Sequence, residues 1–186
     1  MTTKDLAKQA KQASIQLAAL STDIKNKALD SIAKKLSLYA KDIVAANAKD
    51  IARSKKENLE APLLKRLLFN EEKIKEAIDG IQSLIKLAEP VGETLAATEL
   101  DKGLELYKVS CPIGVIGVIF ESRPDALVQI SSLCLKSGNA VLLKGGSEAK
   151  ETNKILAKLI AEATQEAGVE KGWIQLLETR DDVNEM

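Results

Sequence analysis

Apolar residues recur every three or four positions through residues 1–90, which predicts a run of amphipathic helices. Leu6, Ala10, Ala13, Leu17 and Leu20 form one stripe that ends near Ser21-Thr22-Asp23. Beyond that N-cap signal, Ile24, Ala28, Ile32, Leu36 and Tyr39 form a second stripe. Residues 41–58 continue the period through Ile43, Val44, Ala48 and Ile51. A short helix is predicted over residues 62–68, with Pro62 in the first turn, where its missing N–H is harmless. Asn70 should cap a further helix carrying Ile74, Ile78, Ile81, Leu84, Ile85 and Leu87, stopped by Pro90. These stripes are wide, so most helix faces belong to core or interface.

After Pro90 the period changes. Residues 104–109 alternate apolar and polar, as in a half-exposed strand. Residues 113–120 form a continuous β-branched run, the pattern of a strand buried on both faces of a parallel sheet. Residues 123–136 read as a helix whose apolar side carries Ala126, Leu127, Ile130, Leu133 and Cys134. Residues 140–144 predict a second buried strand. A helix should begin at Ser147 or Glu148, pass through Ile155, Leu156, Leu159, Ile160 and Ala163, and end near Gly168. Residues 173–177 predict a third strand. Strands alternating with helices imply right-handed crossovers. The expected class is α/β: a three-layer, Rossmann-like parallel sheet over residues 104–186, preceded by a helical N-terminal segment over residues 1–90.

Composition removes several functions. Lys+Arg and Asp+Glu are 27 each, so the surplus of positive charge that polyanion binding requires is missing and no nucleic-acid partner is expected. No apolar run has the length of a membrane span, and no apolar segment follows Met1-Thr2-Thr3-Lys4-Asp5 to act as a secretory signal. There is no histidine, which excludes Ser-His-Asp and Cys-His catalysis built from this chain and removes the commonest metal ligand. Two cysteines, Cys111 and Cys134, make neither a disulfide framework nor a metal-binding pattern. No metal site is expected. Cys134 falls between Leu133 and Leu135 and reads as a buried, inert thiol; Cys111, before Pro112, reads as structural too. A reduced, cytoplasmic setting follows.

Candidate chemistry gathers where the predicted strands end, the place where open α/β sheets bind ligands. Gly114-Val115-Ile116-Gly117 is not a dinucleotide fingerprint, because its glycines lie inside an apolar run rather than in the turn that opens a helix. Close packing of neighbouring backbone is the expected reason for them. The next five residues, Glu121-Ser122-Arg123-Pro124-Asp125, leave two charged groups at the sheet edge. Arg123 suits a phosphate or carboxylate, or else forms a local pair with Glu121, while Ser122 is placed to cap the next helix. Lys144-Gly145-Gly146-Ser147-Glu148 repeats strand end, tight turn and helix start. N–H groups from Ser147 onward would form an anion site at the helix N-terminus, with Lys144 in reach of a ribose or phosphate.

Residues 112–125, Ser132-Leu133-Cys134-Leu135-Lys136-Ser137-Gly138-Asn139 and Leu143-Lys144-Gly145-Gly146 resemble the gamma-glutamyl phosphate reductase (glutamate-5-semialdehyde dehydrogenase) family, a branch of the aldehyde dehydrogenase superfamily. So do Ala10-Lys11-Gln12-Ala13-Ser14, Asn47-Ala48-Lys49-Asp50, Asp79-Gly80, Leu87-Ala88-Glu89-Pro90-Val91-Gly92 and Glu178-Thr179-Arg180-Asp181. The resemblance implies an aldehyde dehydrogenase-like fold, NADP as cofactor, and reduction of L-glutamyl 5-phosphate to glutamate 5-semialdehyde and phosphate in proline biosynthesis. It implies that Lys144, Ser147 and Glu148 meet the adenosine ribose and its 2′-phosphate. Glu121 and Ser122 would border the nicotinamide and acyl pocket, and Arg123 would steady an oxyanion or the leaving phosphate. Neither cysteine matches the family's nucleophile motif, which lies in a later domain. The chain is therefore expected to be the cofactor-binding, N-terminal part, inactive alone and ending at Asn184-Glu185-Met186. Unfinished sheet edges predict a homo-oligomer, and association with glutamate 5-kinase is a further expectation. The alternative is a noncatalytic NADP-binding or assembly module of the same fold.

Overall fold

The computed structural model describes residues 2–178. Five helices come first: α1 (Thr3–Ala18), α2 (Thr22–Leu38), α3 (Ala40–Lys56), α4 (Ala61–Leu67) and α5 (Glu71–Ile85). Their starts follow local chemistry. Thr2 and Asp5 make a reciprocal capping box at α1, Ser21 accepts from the Ile24 amide at α2, Pro62 sits in the first turn of α4, and Asn70 accepts from the Lys73 amide at 3.0 Å to open α5. An antiparallel hairpin of β1 (Thr94–Asp101) and β2 (Leu104–Val109) follows, turned at Gly103 with φ +76°. The remainder is a parallel sheet and its crossovers: β3 (Val115–Ile119), α6 (Pro124–Lys136), β4 (Ala140–Lys144), a 3₁₀ turn (Ser147–Ala149), α7 (Lys150–Glu166) and β5 (Ile174–Leu176).

The parallel strands run in the order β3-β4-β5, with Val115 opposite Ala140 and Val141 opposite Ile174. Two right-handed crossovers in that order put α6 and α7 on one face. α1 packs across all three strands, and its small buried residues Ala10 and Ala13 let the helix lie close. α2, α3 and α5 pack behind α6 and α7. Ala140, Val141, Leu142 and Leu143 on β4 are all buried, and one apolar cluster joins Leu17, Leu29, Ile32 and Leu36 to Leu143, Ile160 and Trp173. The Trp173 indole N–H is satisfied by the Thr164 hydroxyl at 2.9 Å. Lys25, also buried, meets Glu89 at 2.8 Å and ties α2 to the segment leading into the hairpin. Burial would raise the Glu89 carboxyl, but hydrogen bonds from Lys25 and the Val91 amide hold it below its ordinary value.

Three expectations change. Within the run over residues 113–120, Val115–Ile119 form β3, which is an edge strand among the described residues, with Ile119 60% exposed. A β-branched run is the same whether a second neighbour lies beside it or not. Residues 104–109 are exposed on both faces rather than one, and their partner β1 went unread, because residues 94–101 carry no clean alternation. Finally, α7 begins at Lys150, after the 3₁₀ turn, rather than at Ser147 or Glu148. Of the stretch Glu178-Thr179-Arg180-Asp181, all but Glu178 lies outside the described residues. No described helix is long and apolar enough to cross a membrane.

Candidate functional site

Beyond the carboxyl ends of β3 and β4 lies an open cleft of about 680 Å³. Five residues singled out from sequence line it: Glu121, Ser122, Lys144, Ser147 and Glu148. They come from the two loops that follow adjacent strands, so the parallel register brings them together. Leu59 and Leu63, from the α3–α4 connection and α4, and Phe120 give the cleft its apolar walls. The sequence carried no signal for the two leucines, since nothing local says which sheet edge a short helix will cover.

The two loops are joined by one carboxylate. Glu148 Oε1 accepts from the Ser122 amide at 2.5 Å and from the Ser122 hydroxyl at 2.8 Å. Ser122 is only 4% exposed and has φ +46°, a left-handed conformation that non-glycine residues rarely adopt. The bond to Glu148 is what holds it there. This corrects the capping role expected of Ser122. The N-cap of α6 is Arg123, with no side-chain cap, because the serine hydroxyl is drawn to a carboxylate across the cleft.

Lys144 is half-buried and donates to the Gly145 carbonyl at 2.6 Å, so its ammonium lies folded over its own loop. A Cβ at Gly145 would collide with the Asn153 amide and approach Phe120 Cε2 at 3.3 Å; one at Gly146 would collide with the Glu148 carboxylate. The Asn153 and Glu148 side chains therefore fill the space beside the two glycines, and both glycines line the cleft. Ser147 is exposed. The N-terminus of α7 is less open to an external anion than expected, because the Glu151 and Thr152 amides already serve the chain's own Asp50 carboxylate. Behind the glycine turn, a recess of about 180 Å³ is bordered by Lys150, Asn153 and Lys154.

Arg123 is the exception among the predicted site residues. It does not line the cleft, is exposed, and pairs with Asp125 at 2.8 Å. That carboxylate raises the guanidinium further above its ordinary range, so the charge is permanent. The local pair forms with Asp125 rather than Glu121. Of the cysteines, Cys134 is buried and burial pushes its thiol up to about 11, an unreactive state. Cys111 is exposed, not buried structure, and precedes β3 at the sheet edge opposite the cleft. No cluster of three or more His, Cys, Asp or Glu side chains could hold a metal among the described residues. Gly114 is needed for its φ of +117°, with its amide held by Asn139 Oδ1 at 2.8 Å, which explains that glycine better than close packing does.

Residues 2–186 match the aldehyde dehydrogenase family. The chain is 65% identical over 186 residues to a gamma-glutamyl phosphate reductase of Acetivibrio thermocellus, and spans 43% of that relative's length. A crystal structure of gamma-glutamyl phosphate reductase from Thermotoga maritima superposes on the whole chain with a TM-score of 0.96 at 36% identity, using 45% of that protein. An acetylating aldehyde dehydrogenase from Geobacillus thermoglucosidasius covers 98% of the chain with a TM-score of 0.72 at 18% identity, matching over 38% of its own length, which is a likeness of fold.

Proposed function

The chain belongs to the aldehyde dehydrogenase family, and from that premise we propose that it is the NADP-binding part of a gamma-glutamyl phosphate reductase. The enzyme would reduce L-glutamyl 5-phosphate to glutamate 5-semialdehyde and phosphate for proline biosynthesis, in the cytoplasm. The observation that carries the proposal is the convergence of Glu121, Ser122, Lys144, Ser147 and Glu148 on one cleft at the sheet's carboxyl edge. The 65% identity to a relative bearing that name supports the choice of substrate.

The residues fit the cofactor. Gly145 and Gly146 line the cleft without side chains of their own, and Lys144 can exchange its bond to the Gly145 carbonyl for one to a 2′-phosphate, a better acceptor for an ammonium. Ser147 offers an exposed hydroxyl to the ribose. When bound, the nicotinamide supplies the hydride. Glu148 holds the Ser122 backbone, and with it the approach to Arg123. Arg123 keeps donors beyond those used by Asp125 and would meet the charge that develops on the acyl oxygen or the departing phosphate. The nucleophilic thiol would come from outside these residues, since Cys134 is protonated and buried and Cys111 lies at the far edge. The chain alone should thus bind NADPH without turnover. Homo-oligomerisation would use the hairpin, where Leu95, Leu100, Leu104 and Leu106 stand exposed. Glutamate 5-kinase remains the proposed heterologous partner.

Two experiments test this. NADPH fluorescence titration of the chain should show binding that Lys144→Ala weakens about tenfold, the scale of one charge-assisted bond. Residues 1–186 should also replace the matching part of the Acetivibrio relative and sustain phosphate-dependent reduction of NADP by glutamate 5-semialdehyde. A folded chimera without activity would contradict the assignment.

A further inference from the structure

The Asn47-Ala48-Lys49-Asp50 stretch lies outside the cleft, on α3, yet one face of that helix grips the loop that forms it. Asp50 is fully buried and accepts from the Thr152 amide at 2.8 Å, the Thr152 hydroxyl at 2.7 Å and the Glu151 amide at 3.2 Å. The residue at the N-cap position of α7 is Ala149, which has no side chain to cap with. α7 is therefore capped by a carboxylate from about 100 positions earlier in the chain. One turn along α3, Arg53 pairs with Asp50 at 2.6 Å and donates to the carbonyls of Ser147 at 2.9 Å and Glu148 at 3.1 Å. One turn back, Asn47 donates to the Leu67 carbonyl at 2.8 Å and accepts from the Phe69 amide at 2.9 Å, which anchors α3 to the chain after α4. Residues three apart share a helix face, so the three side chains act from one surface.

We propose that Asp50 and Arg53 are positioning residues for the cleft. They fix the backbone at Ser147 and Glu148 so that the Glu148 carboxylate meets Ser122. Arg53 holds two carbonyls that belong to cleft-lining residues and lie outside the α7 helix proper. The inference rests on the cleft being the cofactor site, but its first consequence, the order of the Ser122–Glu148 link, does not depend on any ligand.

The test uses the chain with Arg53→Met, which keeps the length of the side chain and removes its donors, and Arg53→Lys, whose ammonium keeps three. Ser122 amide exchange is read by NMR, NADPH affinity by fluorescence, and folding by thermal unfolding. R53M should speed Ser122 exchange and weaken NADPH each about tenfold, with R53K recovering most of both. Because Arg53 acts through Glu148, adding R53M to Glu148→Ala should change Ser122 exchange no further, and Arg53→Gln in the same pairing decides the matter if R53M does not fold. Wild-type exchange in R53M, or full additivity in the double variant, overturns the proposal. Loss of NADPH binding by wild type, or unaltered binding by Lys144→Ala, instead removes the cofactor reading while Ser122 exchange still judges the positioning role.

Discussion

Glu148→Ala is the perturbation whose size the structure defines best. The substitution removes one acceptor from two donors on Ser122, the amide at 2.5 Å and the hydroxyl at 2.8 Å. An orphaned buried donor costs about 1–3 kcal/mol. Water from the open cleft can enter the vacated space, so about 1 kcal/mol per donor is appropriate, or about 2 kcal/mol in all. For a chain of this size that lowers Tm by about 4–8 °C. Glu148→Gln keeps an oxygen in place but makes both bonds neutral, about half as strong, so its loss should be near 1 kcal/mol. Ser122→Gly makes a sharper control. It loses the hydroxyl bond, about 1 kcal/mol, and relieves the φ +46° conformation, worth about 1–2 kcal/mol, so it should be nearly neutral. Thermal and urea unfolding followed by circular dichroism measure all three. E148A within about 0.5 kcal/mol of wild type, the size of an ordinary surface change, would refute the claim that this carboxylate holds the cleft together.

Native thiol labelling at pH 8 should modify Cys111 alone, with Cys134 reacting only after unfolding, because burial pushes its thiol up to about 11. The same raised value makes the fold depend on pH. The Cys134 contribution is fully present below pH 9, the ordinary thiol value, and is lost as pH rises toward about 11, since only the unfolded chain releases its proton in that window. A Tm that stays level across it, relative to a Cys134→Ala control, would contradict this. Leu143→Ala on the central strand β4 should destabilise by about 2–5 kcal/mol, since Leu143 is fully buried; a loss below about 1 kcal/mol in urea unfolding would show the core to be looser than described. Gly146→Ala drives a methyl group into the Glu148 carboxylate and should mimic E148A in Ser122 amide exchange; unchanged exchange would place that carboxylate elsewhere.

Much of the fold was legible because its signals are local. Ser21, Pro62 and Asn70 mark helix starts through hydrogen bonds or backbone angles within one turn, and the apolar stripes of α1, α2 and α5 follow from helical spacing alone. The cleft loops were legible for a different reason: a parallel sheet places successive strand ends side by side, so Glu121 and Ser122 had to approach Lys144, Ser147 and Glu148. What escaped is long-range. Ser122 was read as a cap because nothing near it reveals a carboxylate 26 residues away. Asp50 as a cap for α7, across 102 residues, has no periodic trace, and β3 looks the same at an edge as at a centre. Leu59 and Leu63 became cleft walls only through the way α4 folds back.

The most direct test of the cofactor site is diffraction from crystals of the chain grown with NADPH. The account predicts the adenosine 2′-phosphate in the cleft between Leu63 and the Gly145–Gly146 turn, within hydrogen-bond reach of Lys144 Nζ. Well-ordered NADPH bound elsewhere, with this cleft empty, would contradict it.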